Sequence, residues 1–327
     1  MNAEARPALD RWPLNNRESA VCCGFCATCI ASWPGLMRMT GYLRRGLLAS
    51  LCILLTAFGP AAAATAAPAL PPVMLLIPSP APGIAMHATL FRPPGKGPFP
   101  LAIINHGSAE DEFARATMPT PSFPGLTAWF VAHGYAVLVP LRPGHGATGG
   151  PYLEGQGPCD HADYAGAGNA TADGIMATVA WMAKQPFVRS SGMIVVGNSA
   201  GGWGALALAA RNPPEVAAIV AFAPGRGGRR YNRPQSNCSP DNLVMAAAVY
   251  GKTARAPTLW MSAANDTYFP PELSRRMADA YRGAGGRLEY DLLPAVGNEG
   301  HGLILADGAA TWAPYLERFL GAVANRR

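Results

Sequence analysis

The amino-acid sequence predicts an α/β fold with a mostly parallel sheet and helices on both faces of that sheet. Short apolar runs of strand length alternate along the chain with longer segments in which apolar residues recur at helical spacing. Glycine-rich or polar segments follow most of the apolar runs. This alternation continues over about 260 residues without an internal repeat, which is typical of one large α/β domain.

Eight segments have the length and apolar content of strands. The first is a solid apolar run and the second alternates, which favours an antiparallel pair at one edge of the sheet. The others are mostly continuous apolar runs, as expected for strands covered on both faces. The predicted strands cover residues 73–78, 86–93, 101–105, 135–141, 193–196, 216–222, 257–262 and 288–293.

Helices are predicted between these strands, and Gly134 marks the end of the first. They cover residues 126–133 and 163–185, a segment that begins at Ala200, and residues 270–283 and 312–323. Residues 109–122 are expected to form a polar loop, and residues 223–255 a longer excursion that covers the site like a small lid.

Residues 1–67 are predicted to be a leader outside the fold. A basic segment ends in Arg44-Arg45, an apolar run follows, and alanines fill residues 61–64. This order is typical of a secretory signal peptide, and the apolar run is too short to span a bilayer. We expect cleavage between Ala63 and Ala67, and an over-long gene start before Met37. Residues 68–327 are then expected to form a single exported domain, periplasmic or secreted.

The charge of the chain argues against nucleic acid as a partner. The net charge is +6, and removing the six basic and three acidic residues of the leader leaves about +3, with no basic stripe that contains aromatic residues. Five of the seven cysteines lie in the leader, where Cys23-x-x-Cys26-x-x-Cys29 lacks a second pair, so we predict no metal site. Cys159 and Cys238 remain, and in an exported protein we expect them to form one disulfide.

Residues 193–208 place a serine at a sharp turn between a strand and a helix. Four apolar residues lead into Gly-Asn-Ser-Ala-Gly (197–201), and a segment rich in alanine and leucine follows. This is the context of a G-x-S-x-G nucleophile elbow, which exposes a serine hydroxyl at the end of a strand. The glycines are needed because a Cβ at the flanking positions would clash with the strand or the helix. We therefore predict Ser199 as a nucleophile.

A serine hydroxyl needs a base to take its proton and an acid to orient that base. With this elbow the chain order should be serine, acid, histidine. Asp266 follows the predicted strand 257–262, and His301 follows the last strand between two glycines. Only His301, among six histidines, lies after such an acid, so we predict Asp266 and His301 as the other two catalytic residues. Glu299 is a rival acid but is too close to His301 in sequence.

Backbone N–H groups of Ser108 and Ala200 are the predicted oxyanion donors. Ala200 lies at a helix N-terminus, and Ser108 follows His106-Gly107 at the end of strand 101–105. Gly107 is the alternative donor, and His106 is expected to hold the loop rather than act as an acid or base.

Aromatic and basic residues near these positions are candidates for substrate contacts. Trp203, Tyr268 and Phe269 are adjacent to the predicted catalytic residues and could line an acyl or aromatic site, or pack in the core or at its rim. The arginines 226, 229 and 230 could attract an anionic substrate or form a solvated basic face.

Together these motifs resemble the dienelactone hydrolase-like branch of the α/β-hydrolase superfamily. The resemblance rests on Ile104-Asn105-His106-Gly107, the loop 142–146, the elbow 197–202, Asn265-Asp266 and Gly300-His301-Gly302. It implies an α/β-hydrolase fold with about eight strands, and a serine hydrolase that uses no metal or organic cofactor. Dienelactone hydrolases have a cysteine nucleophile, whereas this chain has Ser199, so a carboxylic ester is the expected substrate class.

The sequence therefore predicts an exported serine esterase that acts on a small-molecule ester through an acyl-enzyme, with no nucleic-acid partner and no stable membrane span after removal of the leader. A peptidase of the same fold and a non-catalytic binding protein of that fold are the two alternatives.

Overall fold

The computed structural model describes residues 70–305 and 310–326. The predicted leader and its cysteine cluster lie outside the described residues. Within them, no helix has both the length and the apolar character needed to cross a membrane.

Eight strands form one sheet in the order β1-β2-β4-β3-β5-β6-β7-β8. β2 is antiparallel to both β1 and β4, and all other neighbours are parallel. The predicted fold class and the antiparallel edge are thus confirmed. The strands are β1 (Val73–Ile77), β2 (Met86–Phe91), β3 (Leu101–Asn105), β4 (Ala136–Pro140), β5 (Met193–Asn198), β6 (Val216–Phe222), β7 (Thr258–Ala263) and β8 (Leu288–Leu293).

Seven α-helices lie between these strands or after the last of them, within the described residues. Two of them lie where the sequence indicated none, α1 in the predicted polar loop and α5 in the predicted excursion 223–255. The helices are α1 (Glu112–Ala116), α2 (Pro124–Ala132), α3 (Tyr164–Met182), α4 (Ala200–Ala209), α5 (Pro240–Gly251), α6 (Pro271–Gly283) and α7 (Ala313–Ala324).

Local physical reasons explain both corrections. Helix α1 is a single turn with no buried residue, so it has no apolar periodicity, and the Asp111 carboxylate caps it by accepting from Ala114 N–H at 2.7 Å. Helix α5 begins with Pro240 in its first turn, packs on α3 and α6, and buries Leu243 and Tyr250. The second half of the predicted lid is therefore part of the core.

Apolar side chains pack on both faces of the sheet. Ile103 and Val195 belong to one cluster, and the next residues along each strand, Ile104 and Val196, belong to the other. This alternation follows from the period of two of a β-strand. The outer strand β1 is the exception, because Met74 and Leu76 are exposed there.

The expected disulfide is present between Cys159 and Cys238, whose Cα atoms are 4.8 Å apart. It joins the loop before α3 to the segment before α5. The carbonyl of Gly227 accepts from Cys238 N–H at 3.1 Å, so the covalent link stabilises the segment that follows β6.

Candidate active site

Ser199 lies at the turn between β5 and α4 with φ 52° and ψ −120°, an unfavourable conformation for a residue with a Cβ. Neighbouring glycines make the turn possible. A Cβ on Gly197 would lie 2.3 Å from the backbone of Gly201, and one on Gly201 would lie 2.4 Å from Asn105 O. The strand, turn and helix predicted around this serine are thus present, and the backbone contacts explain the glycines.

The ring of His301 faces the carboxylate of Asp266, with His301 Nδ1 3.2 Å from Asp266 Oδ2. Asp266 is 1% exposed, and it follows β7 as predicted. Because a carboxylate can only accept, Nδ1 carries the proton and Nε2 is free to accept another. This is the arrangement that a general base requires.

Backbone N–H groups hold the Asp266 carboxylate in place. Its Oδ1 accepts from Tyr268 N–H at 2.8 Å and from Phe269 N–H at 2.9 Å, which leaves Oδ2 for His301. Asp266 thus holds the turn that follows β7 with one carboxylate oxygen and orients His301 with the other.

Glu299 connects the segments that carry Asp266 and His301. Its Oε1 accepts from Thr267 N–H at 3.0 Å and from His301 N–H at 3.1 Å, and its Oε2 pairs with Arg229. Burial by itself would raise the pKa of Glu299, but these donors and Arg229 lower it. No described hydrogen bond joins Glu299 to the His301 ring, so the structure pairs that ring with Asp266 instead.

Two aromatic rings pack against the imidazole of His301. The Tyr268 ring stacks on it with centroids 4.3 Å apart, and Phe269 packs at 5.4 Å. Arg229 lies over the Tyr268 ring, 4.1 Å from its centroid. Contacts on the ring limit its rotation, which helps to keep Nδ1 directed at Asp266.

The candidate oxyanion donors lie next to the serine. Ala200 begins helix α4, so its N–H is at the positive end of a helix. The loop that carries Ser108 is in close contact with the serine, because a Cβ on the preceding Gly107 would be 3.2 Å from Ser199 Cβ. His106 is buried between Arg142 N–H and the Gly107 carbonyl, which agrees with the structural role expected for it.

A cleft of about 520 Å³ contains most of the predicted site residues. Ser108, Ser199, Ala200, Tyr268, Phe269 and His301 all line it. Two larger depressions, of about 770 and 990 Å³, contain none of these residues. Within the described part of the chain Ser199 Oγ makes no hydrogen bond, to His301 or to any other residue, although both groups face the same cleft. Such contacts often tighten only when a substrate binds.

Trp203 does not line the cleft, so its predicted substrate contact is wrong. The side chain is fully buried in the core, and its Nε1 donates to Tyr164 O at 2.9 Å. The reason is geometric, because Trp203 is one helical turn past Ser199 and points into the face of the sheet that α3 and α4 cover.

The arginines after β6 all have carboxylate partners, and two of them, Arg226 and Arg229, line the cleft. Arg226 is 4% exposed and pairs with Glu154, Arg229 pairs with Glu299, and Arg230 pairs with Asp160. Glu110 and Asp111 line the same cleft, and neither has an ion-pair partner in the described part of the chain.

Sequence reasoning missed a buried cluster of ionic groups behind the cleft. Glu154 accepts from Arg142 at 2.5 Å and also pairs with Arg226. Tyr152 joins this cluster by accepting from Arg226 Nη1 at 3.0 Å. These residues come from loops that look solvent-exposed in a linear sequence, and no local pattern indicates their pairing.

The protein is a hydrolase of the α/β-hydrolase superfamily. The features that define this class are the eight-stranded sheet, the elbow and the cleft that contains Ser199 and His301. The model of the X-Pro dipeptidyl-peptidase (S15) family matches residues 82–280, and the chain belongs to that family. No curated protein matches the chain at a significant level.

Solved structures with this fold include esterases and peptidases. A putative dienelactone hydrolase from Klebsiella pneumoniae is 18% identical with a TM-score of 0.51, over 78% of this chain and 99% of its own. An esterase from Pyrococcus furiosus is 16% identical with a TM-score of 0.53, over 78% of this chain and 92% of its own. Dipeptidyl peptidase 4 from Porphyromonas gingivalis is 15% identical with a TM-score of 0.54, over 79% of this chain and 36% of its own. At these identities the likeness establishes the fold alone.

Proposed function

We propose that the protein is an exported serine hydrolase that cleaves carboxylic esters through an acyl-enzyme. The observation that carries this proposal is a single cleft that contains Ser199 and His301, with Asp266 paired to the far side of the His301 ring. Ser199 Oγ attacks the ester carbonyl, His301 Nε2 takes its proton and delivers it to the leaving alcohol, and Asp266 stabilises the imidazolium. Water, activated by His301, then releases the acid and restores Ser199.

The oxyanion of each tetrahedral intermediate is assigned to the N–H groups of Ala200 and Ser108. Each such donor typically contributes a factor of about 10²–10³ in kcat. Tyr268 provides apolar surface beside His301 for the substrate, whereas Phe269 is 2% exposed and belongs mainly to the core.

The test is Ser199→Ala, assayed with p-nitrophenyl acetate and with a fluorophosphonate probe. We expect loss of turnover and of labelling with an unchanged circular dichroism spectrum. Ser191→Ala is the matched control, because Ser191 is exposed in a different depression. Undiminished turnover in Ser199→Ala would place the nucleophile elsewhere, and a wild-type protein that never reacts with the probe would support the non-catalytic alternative.

A peptidase of the same mechanism is the second candidate. The S15 family match favours it, and so do the carboxylates of Glu110 and Asp111 in the cleft, whose charge suits a substrate ammonium group such as a peptide N-terminus. Parallel assays with p-nitrophenyl acetate and an X-Pro-p-nitroanilide separate the two. A kcat/KM for the anilide that exceeds that for the ester would select the peptidase.

Export is proposed from the leader pattern, and a disulfide in the folded domain agrees with an oxidising compartment. N-terminal sequencing of the protein recovered from the periplasm or medium should begin between residues 64 and 68. Recovery of uncleaved protein in the cytoplasm alone would contradict export.

A further inference from the structure

A chain of hydrogen bonds runs behind the oxyanion loop, defined here as residues 106–108. Ser108 Oγ lies 2.9 Å from His145 Nε2 and 3.2 Å from Tyr152 OH. Tyr152 OH in turn lies 3.0 Å from Arg226 Nη1. The chain therefore connects three separate segments, after β3, after β4 and after β6, at the point where the loop meets the cleft.

The two ends of the chain determine the direction of every bond in it. His145 Nδ1 faces two carbonyl oxygens, of Pro143 at 3.1 Å and of Arg142 at 3.3 Å, so Nδ1 carries the proton and Nε2 accepts. Burial and the nearby Arg142 lower the pKa of His145 to about 4, which keeps the ring neutral at pH 7. At the other end a guanidinium can only donate.

The Ser108 hydroxyl has two acceptors within reach, His145 Nε2 at 2.9 Å and Ala109 O at 3.4 Å, and the shorter contact is the one to His145. Arg226 therefore donates to Tyr152, Tyr152 O–H donates to Ser108 Oγ, and Ser108 O–H donates to His145. The only proton of the Ser108 hydroxyl is thus used away from the substrate. What Ser108 can offer to an oxyanion is its backbone N–H.

The peptide between Gly107 and Ser108 is held from a second direction. His106 Nδ1 lies 2.5 Å from Gly107 O, and its Nε2 accepts from Arg142 N–H at 3.0 Å. Because C=O and N–H point in opposite directions across a trans peptide, this contact turns the Ser108 N–H away from the His106 ring. The Ser108 side chain then determines how far the loop can move relative to Ser199.

The outer members of the chain are themselves held in place. His145 is fully buried, and Arg226 is held by Glu154. Tyr152 has Arg115 over its ring, 4.0 Å from the centroid. Arg115 also donates to Ala109 O at 3.0 Å, so it contacts the backbone that follows the oxyanion loop.

We propose that His145 and Tyr152 are positioning residues that, through the Ser108 hydroxyl, hold the Ser108 N–H at the oxyanion position. This inference rests on the proposed serine-hydrolase function and deepens it. In this proposal the Ser108 hydroxyl holds the oxyanion loop in place and does not bind the substrate.

A double-mutant cycle tests the proposal with Ser108→Ala and Tyr152→Phe, assayed with p-nitrophenyl acetate. Both changes keep the backbone N–H and remove one hydroxyl. We expect each to lower kcat about tenfold with KM changed less than about twofold, since a small displacement of an aligned group slows chemistry more than binding. Because both act through one oxygen, the double variant should be no slower than the slower single variant. Tyr281→Phe is the control, since its hydroxyl contacts Thr258 in the core, and it should leave kcat unchanged.

A second pair of variants keeps the test decisive if Ser108→Ala is unstable. His145→Ala removes the acceptor, whereas His145→Gln retains an amide oxygen near the position of Nε2. Recovery of kcat in His145→Gln relative to His145→Ala is expected. The positioning role would be overturned by any one of three results. These are losses of kcat that multiply in the double variant, effects confined to KM, and wild-type kcat in the single variants. Ser199→Ala in the same series separates the outcomes, because residual turnover there would overturn the proposed function itself.

Discussion

Replacing Glu154 by glutamine should destabilise the fold more than the loss of any single surface ion pair. The side chains of Arg142, Glu154 and Arg226 are 1%, 3% and 2% exposed, and the carboxylate is the shared partner of both arginines. Burial by itself would raise the pKa of Glu154, but the two guanidinium groups lower it far below its usual range, so the group is ionised at pH 7. Glutamine keeps the volume and removes the charge.

The magnitude follows from leaving two buried cations without a counter-charge. Breaking a buried pair by removing one partner costs about 3–5 kcal/mol of the free energy of unfolding. The matched control is Asp173→Asn, which breaks the Arg211 pair of 2.7 Å between side chains that are 30% and 54% exposed. An exposed pair of this kind contributes about 0–1 kcal/mol.

The assay is urea unfolding of both variants and the wild type at pH 7, with the free energy obtained by linear extrapolation. Urea is chosen because it is uncharged and does not screen ion pairs. A loss for Glu154→Gln below about 1 kcal/mol, or no larger than that for Asp173→Asn, would refute the argument that this cluster is electrostatically coupled.

Two further predictions concern the elbow and pH. Gly201→Ala should abolish hydrolase activity and lower the unfolding temperature, because its Cβ would lie 2.4 Å from Asn105 O. Gly125→Ala in α2 is the control, because its Cβ meets no atom within 4 Å, and it should keep both the activity and the unfolding temperature of the wild type. Equal behaviour of the two variants in a melting and activity assay would contradict the close-packed elbow. Burial and Arg142 lower the pKa of His145 in the folded state to about 4. Between about pH 6.5 and 4 the unfolded chain therefore binds a proton at this residue that the native state does not. The free energy of unfolding should fall as the pH falls through this range, by up to about 3 kcal/mol from His145. Urea unfolding across this range should show a shallower pH slope for His145→Gln than for the wild type, and an equal slope would exclude His145 as its source.

Local sequence patterns were sufficient to predict the sheet because its central strands are buried over several consecutive residues and therefore appear in the sequence as continuous apolar runs. The runs 101–105 and 216–222 coincide with β3 and β6, and the glycines around Ser199 match the backbone contacts that the elbow makes. A helix without apolar spacing left no such signal, which is why α1 was missed.

Side-chain direction and long-range pairing were beyond these patterns. Trp203 is adjacent to the elbow in sequence but points into the core, and Arg226 pairs with a carboxylate 72 residues away rather than with solvent or substrate. Both side chains have their partners far away in sequence, Tyr164 for Trp203 and Glu154 for Arg226.

The sequence by itself determined the class of fold, the strained serine turn and the order of serine, acid and histidine, because each is encoded within a few adjacent residues or in their succession along parallel strands. Only the tertiary structure decided which carboxylate faces His301, how the Ser108 hydroxyl is used, and that the arginines after β6 are neutralised by partners. The physical reason is that charge pairing and hydrogen-bond direction depend on distances between loops, and those distances exist only once the sheet brings the ends of its strands to one edge.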